Sequence, residues 1–155
     1  MIKIIGIGNS LMGDDGIALK VIDYIEEEIN KLKLGIKCIK AETDFDYALD
    51  NIEEGDFLFI LDSTLLDLEN GEITKIPLLE SKRCAGKGLS IHNISLLSLI
   101  EHFNIEVKGC ILGIQVTGVG FSLELSEELK ESFEEICKKI FKIIKEDSLE
   151  YLKKG

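Results

Sequence analysis

The chain has 155 residues, 45% of them apolar and 30% charged, and a formal net charge of −11 at pH 7. That length suffices for one domain with a sizeable core, and acidity without a long basic block excludes nucleic acid as an expected partner. No apolar run approaches the roughly 20 residues of a membrane span, and the opening Ile2-Lys3-Ile4-Ile5 is too short for a signal-peptide core, so a cytoplasmic protein without membrane insertion is expected.

Ile2 to Ile7 is a short β-branched run, the pattern of a buried strand. A loop with glycines at 6, 8, 13 and 16 follows, and it carries the adjacent pair Asp14-Asp15. From about 15 to 33, Ala18, Val21, Ile22, Ile25, Ile29 and Leu32 recur at three- and four-residue steps, one face of an amphipathic helix stopped near Gly35. A shorter strand is expected over 35–41, then a helical turn or two around 46–52. The run Phe57-Leu58-Phe59-Ile60-Leu61 has the unbroken apolar character of a central parallel strand, and Asp62 ends it.

Residues 72–76 alternate and precede the single proline, Pro77, which marks an edge strand. Residues 81–90 have no regular pattern and read as a loop. A helix holding Ile94, Leu97 and Ile100 begins just after His92, and a further buried strand covers 109–115. After an irregular loop over 116–125, Ser126 caps a long last helix with Glu127 and Glu128 in its first turn. The core face of that helix is read as Leu129, Phe133, Ile136, Ile140 and Ile143. The order β-α-β-α-β-β-α-β-α predicts a single α/β domain over 1–155. Its form is a three-layer sandwich, a mainly parallel twisted sheet of about five strands with helices on both faces.

Cys38, Cys84, Cys110 and Cys137 lie far apart with no Cys-x-x-Cys spacing, so each is read as a small hydrophobe rather than a metal or disulfide site. In an open parallel sheet, ligands bind beyond the carboxyl ends of the strands. Asp14-Asp15 and Asp62 fall there by strand polarity, and the loop carrying His92 returns to the same edge. Two carboxylates and an imidazole from separate loops make a divalent-metal constellation that suits zinc, nickel, iron or manganese. Against that stand plainer roles: a helix-start aspartate as a cap, a strand-end aspartate as a turn former. His102, late in its helix, is read as outside the site.

A dinucleotide cradle fails, because Leu11 stands where Gly6-x-Gly8 would need a third small residue. Each carboxylate–phosphate pair at about 4 Å would also cost on the order of 4 kcal/mol at an effective dielectric near 20. Gly-x-Ser-x-Gly and His-Glu-x-x-His motifs are missing, and Ser10, Ser63 and Ser90 carry no sign of activation. The loop glycines are read as leaving space for a partner's chain to approach Asp15.

Gly6-x-Gly8-Asn9-x-Leu11-x-Gly13-Asp14-Asp15-Gly16 resembles the signature of the hydrogenase maturation endopeptidases. The apolar run ending at Asp62, Ser90-Ile91-His92-Asn93, Gly113-Ile114-Gln115, Gly120-Phe121 and Leu125-Ser126 follow in that family's order. His92-Asn93 and Gly113-Ile114-Gln115 look most like the branch that processes membrane-associated, hydrogen-evolving enzymes. The resemblance implies the same sandwich fold and a protease that removes a C-terminal peptide from the nickel-loaded large-subunit precursor of a nickel–iron hydrogenase. It implies that Asp15, Asp62 and His92 are catalytic and engage the nickel, which the substrate brings, with another divalent metal as a stand-in in vitro. Gly8, Asn9 and Asp14 match positions that shape the substrate site. Ala41-Glu42-Thr43-Asp44 replaces the family's Asp-Gly-Gly-Thr-like turn, so that loop is expected to take a different path. The alternative of another class is a non-enzymatic nickel-binding assembly factor on the same scaffold.

Overall fold

The structure, a computed structural model, describes residues 1–81, 91–118 and 120–155. Five strands, β1 (Ile2–Ile7), β2 (Lys37–Glu42), β3 (Phe57–Thr64), β4 (Ile73–Pro77) and β5 (Lys108–Gln115), form one sheet in the order β2-β1-β3-β5-β4. Four of them run parallel, and β4 pairs antiparallel to β5 at the edge, where Pro77 needs no ladder hydrogen. The described helices include α1 (Ile17–Lys31), α2 (Phe45–Asp50), α3 (Ile91–His102) and α4 (Glu127–Lys154). None of them is long and apolar enough to cross a membrane.

Period-two alternation on the buried strands sorts the core into two halves. Ile2, Ile4, Phe59, Leu61, Leu112 and Ile114 face α1 and α4, whose Ile22, Ile25, Leu129 and Ile140 close that side. Ile5, Ile7, Leu58, Ile60 and Ile111 face the other way, against Ala48 and Ile52 near α2 and Leu96 and Ile100 of α3. The expected three-layer sandwich is therefore what the chain builds.

The differences from expectation are local. A 3-10 turn over Gly13–Gly16 precedes α1, so the α-helix starts at Ile17 rather than near residue 15. β3 does not stop at Asp62. It runs on to Thr64, because Asp62, Ser63 and Thr64 pair with Gly113, Ile114 and Gln115 of β5. His92 lies inside the first turn of α3 rather than before the helix. On α4 it is Ile144, not Ile143, that is fully buried, and Cys137 joins it, while Phe133 and Ile143 pack at the margin. The loop expected at 81–90 lies, beyond Ser81, outside the described residues, as does Cys84.

At the end of the sheet where β1 and β3 begin, the Asp56 carboxylate takes the N-terminal amine at 3.0 Å and Lys3 Nζ at 2.7 Å. The Glu53 amide donates to the same carboxylate at 2.7 Å, and Lys3 Nζ also reaches the Asn51 carbonyl at 2.7 Å. Burial acts to raise the Asp56 carboxyl. The Lys3 hydrogen bond, the Glu53 amide and the N-terminal amine outweigh it and hold the group below its ordinary range.

Candidate functional site

At the opposite end of the sheet, the chain leaves β1 through Gly8. Its φ of +143° suits glycine alone, and a Cβ there would stand 2.1 Å from the main-chain oxygen of Asp15. The space left by this glycine is thus filled by the loop itself, not held open for a partner's chain. Gly8 N donates to the Glu42 carbonyl at 3.0 Å, and Asn9 closes the turn, its Oδ1 accepting from Leu11 N at 2.9 Å. The Asn9 amide in turn donates to Asp15 Oδ2 at 2.9 Å. Gly8 and Asn9 therefore act on the site by fixing where Asp15 can be.

Strand alternation then distributes the neighbouring groups. On β3, Asp62 shares the face of Leu58 and Ile60 and looks toward α3, where Asn93 Nδ2 donates to its Oδ2 at 3.0 Å. Ser63 looks the other way. Its hydroxyl donates to Asp15 Oδ1 at 2.9 Å while its own amide donates to Asp62 Oδ1 at 2.8 Å, so one residue links the two carboxylates. His92 Nε2 stands 3.6 Å from Asp15 Oδ2, and its ring is backed by Phe45 of α2 with centroids 5.9 Å apart.

The three residues expected together are thus only partly gathered. Asp15 and His92 form a pair open to solvent, with side chains 13% and 27% exposed. Asp62 lies beneath them with no exposed surface. Among the described residues, no three His, Cys, Asp or Glu side chains stand close enough to hold one ion. Asp14 is turned away from the pair. It is buried, and its Oδ1 accepts from the Ser126 amide at 2.7 Å, tying the glycine-rich loop to the start of α4. His102 ends α3 far along the helix from His92, in keeping with its being read as outside the site.

Glu42 occupies a glycine-like place in the turn after β2. Its φ of +56° is left-handed, the conformation a glycine would adopt freely. The turn is thus made with a left-handed non-glycine residue. Its side chain meets Ser10 Oγ at 3.4 Å, at the rim of the cleft. Sequence reasoning had no signal for Phe45, named Ser63 only as a serine without sign of activation, and met Asn93 as part of the Ser90-Ile91-His92-Asn93 motif without a role of its own.

Two other features carry no comparable chemistry. A cavity of about 990 Å³ lies by Gly55, Tyr151 and the N-terminal end of β5, away from Asp15, with mostly apolar walls such as Leu78, Leu97, Ile100 and Val107. Cys38, Cys110 and Cys137 are free thiols. Burial pushes Cys110 and Cys137 up to about 12 and, with Glu26 adding to it, Cys38 up to about 11, so none is an activated nucleophile.

Comparison with known proteins gives one consistent answer. Residues 19–143 match the sequence profile of the family described as hydrogenase maturation protease. A protein of Methanocaldococcus jannaschii, provisionally described as a hydrogenase maturation protease, is 28% identical over 152 residues, covering 92% of this chain and 88% of its own. The fold is similar to that of the hydrogenase maturating endopeptidase HybD of E. coli, with TM-score 0.77 and 17% identity over 94% of this chain and 93% of that one. It is also similar to the [NiFe] hydrogenase maturation protease HybD of Thermococcus kodakarensis, with TM-score 0.71 and 23% identity over 92% and 97%.

Proposed function

On the premise that the chain belongs to the hydrogenase maturation protease family and is an endopeptidase, we propose that it removes a C-terminal peptide from a nickel-loaded nickel–iron hydrogenase large-subunit precursor. The observation that carries this reading is the Asp15–His92 pair, 3.6 Å apart and part-exposed at the ligand-binding edge of the sheet. Two donor atoms each about 2.0–2.2 Å from one divalent ion stand roughly 3–3.5 Å apart, so an oxygen and a nitrogen at this spacing need little adjustment to share an ion. The nickel belongs to the substrate, and the pair recognises it there. Asp62 is the third ligand of the proposal. It joins only when its bond from Asn93 is exchanged, which makes it the ligand that responds to a loaded substrate. His92-Asn93 and Gly113-Ile114-Gln115 support the branch acting on hydrogen-evolving enzymes, and a cytoplasmic setting follows from the same reading.

Recognition of the metal places one peptide bond beside Asp15. Hydrolysis then adds water across it: the hydroxyl joins the carbonyl carbon, the C–N bond breaks, and the proton leaves with the new amine. Two routes activate the water. The substrate's metal polarises the carbonyl, or a carboxylate accepts the water's proton. Asp15 serves in either, since Asp14 and Asp62 are buried.

Mass spectrometry of the nickel-loaded precursor after incubation with the protein tests the proposal. Wild type is expected to release the tail, and Asp15→Ala, Asp62→Ala and His92→Ala to leave it attached. Full activity in all three variants would sink the site assignment, and an intact tail in a stable wild-type complex would favour the assembly factor.

A further inference from the structure

The Gly120-Phe121 motif plays no part in the chemistry above, and Phe121 has no packing role: it is 91% exposed. Beside it, Leu123 is 69% exposed and Leu11, on the glycine-rich loop, 55%. The two segments are joined by backbone hydrogen bonds, Ser122 N to the Leu11 carbonyl at 3.0 Å and Gly13 N to the Ser122 carbonyl at 2.8 Å. Leu123 also lines, with Ser10, Gly16 and Glu42, the small cavity at the loop's flank. Three large apolar side chains therefore stand in water on a backbone locked to the segment that carries Asp15. Single exposed apolar residues are ordinary, but a contiguous group marks a contact surface.

Charge narrows the choice of partner. A second copy of this chain would bring another net charge of −11 against the first, and an anionic lipid surface is repelled in the same way. Leu11 lies four residues before Asp15 on the same loop, and Ser122, between Phe121 and Leu123, is hydrogen-bonded to that loop, so the patch adjoins the loop at which the proposed substrate is cut. Resting on the function proposed above, we infer that Phe121, Leu123 and Leu11 form a docking edge for the folded body of the precursor, which sets an apolar patch on them while its metal-bearing tail enters the cleft. Aromatic side chains at the centre of such a contact commonly carry much of its binding energy.

Steady-state processing and direct binding of purified nickel-loaded precursor test this with Phe121→Ser and Leu123→Ser, using Phe103→Ser, exposed elsewhere on the surface, as control. The expected result is a KM and a Kd raised about tenfold or more with kcat changed less than about twofold, while the control matches wild type. Unchanged KM and Kd in both variants, or a fall in kcat at constant KM, overturns the docking edge. So does a self-association of wild type that Phe121→Ser abolishes without altering KM. A wild type that binds precursor but never cuts it overturns the peptidase reading alone, and the Kd comparison then still decides for or against the docking edge.

Discussion

Asp56 and Asp15 lie at opposite ends of the same sheet and are held in opposite ways. Asp56 is enclosed with two cations, Lys3 and the N-terminal amine, and its charge is spent on closing the fold. Asp15 is held by the Asn9 amide and the Ser63 hydroxyl, both neutral, with the part-exposed His92 ring beside it and the Asp62 carboxylate bridged to it through Ser63. Neutral donors orient a carboxylate without cancelling its charge, so Asp15 keeps its attraction for a cation that arrives from outside. The contrast teaches that a buried acid at a strand end is not a site by virtue of its burial. What it is paired with decides.

Exchange of each aspartate for a neutral relative is the strongest test of that contrast. Asp15→Asn should lower the processing rate by about 10²- to 10⁴-fold while thermal unfolding stays near wild type. Asp56→Ala should do the reverse. It strands Lys3 in a buried position and should cost about 3–5 kcal/mol of stability, read from denaturant unfolding, with kcat retained where the protein is folded. A strong stability loss in Asp15→Asn would collapse the distinction.

Acid titration sharpens the same comparison with a smaller effect. Because the folded Asp56 carboxyl lies below its unfolded value, its stabilising contribution is fully present above the unfolded carboxylate range near pH 4 and is lost as pH falls through the lower folded value. Unfolding measured between about pH 5 and 2 should show this acid-side loss in wild type, and Asp56→Ala should show less of it. The smallest effect is expected from Glu42→Gly, which relieves a left-handed residue and should raise stability by up to about 1 kcal/mol. A clear fall in melting temperature for that variant would mean the Glu42 side chain contributes more than its contact with Ser10.

The parts of the molecule that sequence patterning described well are those where burial repeats. Six consecutive buried residues of β1 and the spaced apolar face of α1 leave little choice of element. Patterning misjudged β3 because Ser63 and Thr64 look like the start of a loop, and only pairing with Ile114 and Gln115 keeps them in the sheet. It also could not separate Asp14 from Asp15. Adjacent identical residues in a 3-10 turn point about a third of a turn apart, so one meets the Ser126 amide and the other the cleft. The partners of Ser63 and Asn93 were hidden for a related reason. A short polar side chain has many possible partners, and the partner is chosen by packing that no local signal carries.

The Asp14–Ser126 hydrogen bond joins residues 112 positions apart, and it makes the order of assembly matter. Until the last helix has docked, the loop bearing Asp15 lacks this tie, so a nascent or truncated chain that has made every residue of the cleft still lacks one of its anchors. The placing of the loop that bears Asp15 is thereby linked to the docking of α4, at the far end of the described sequence from the loop itself.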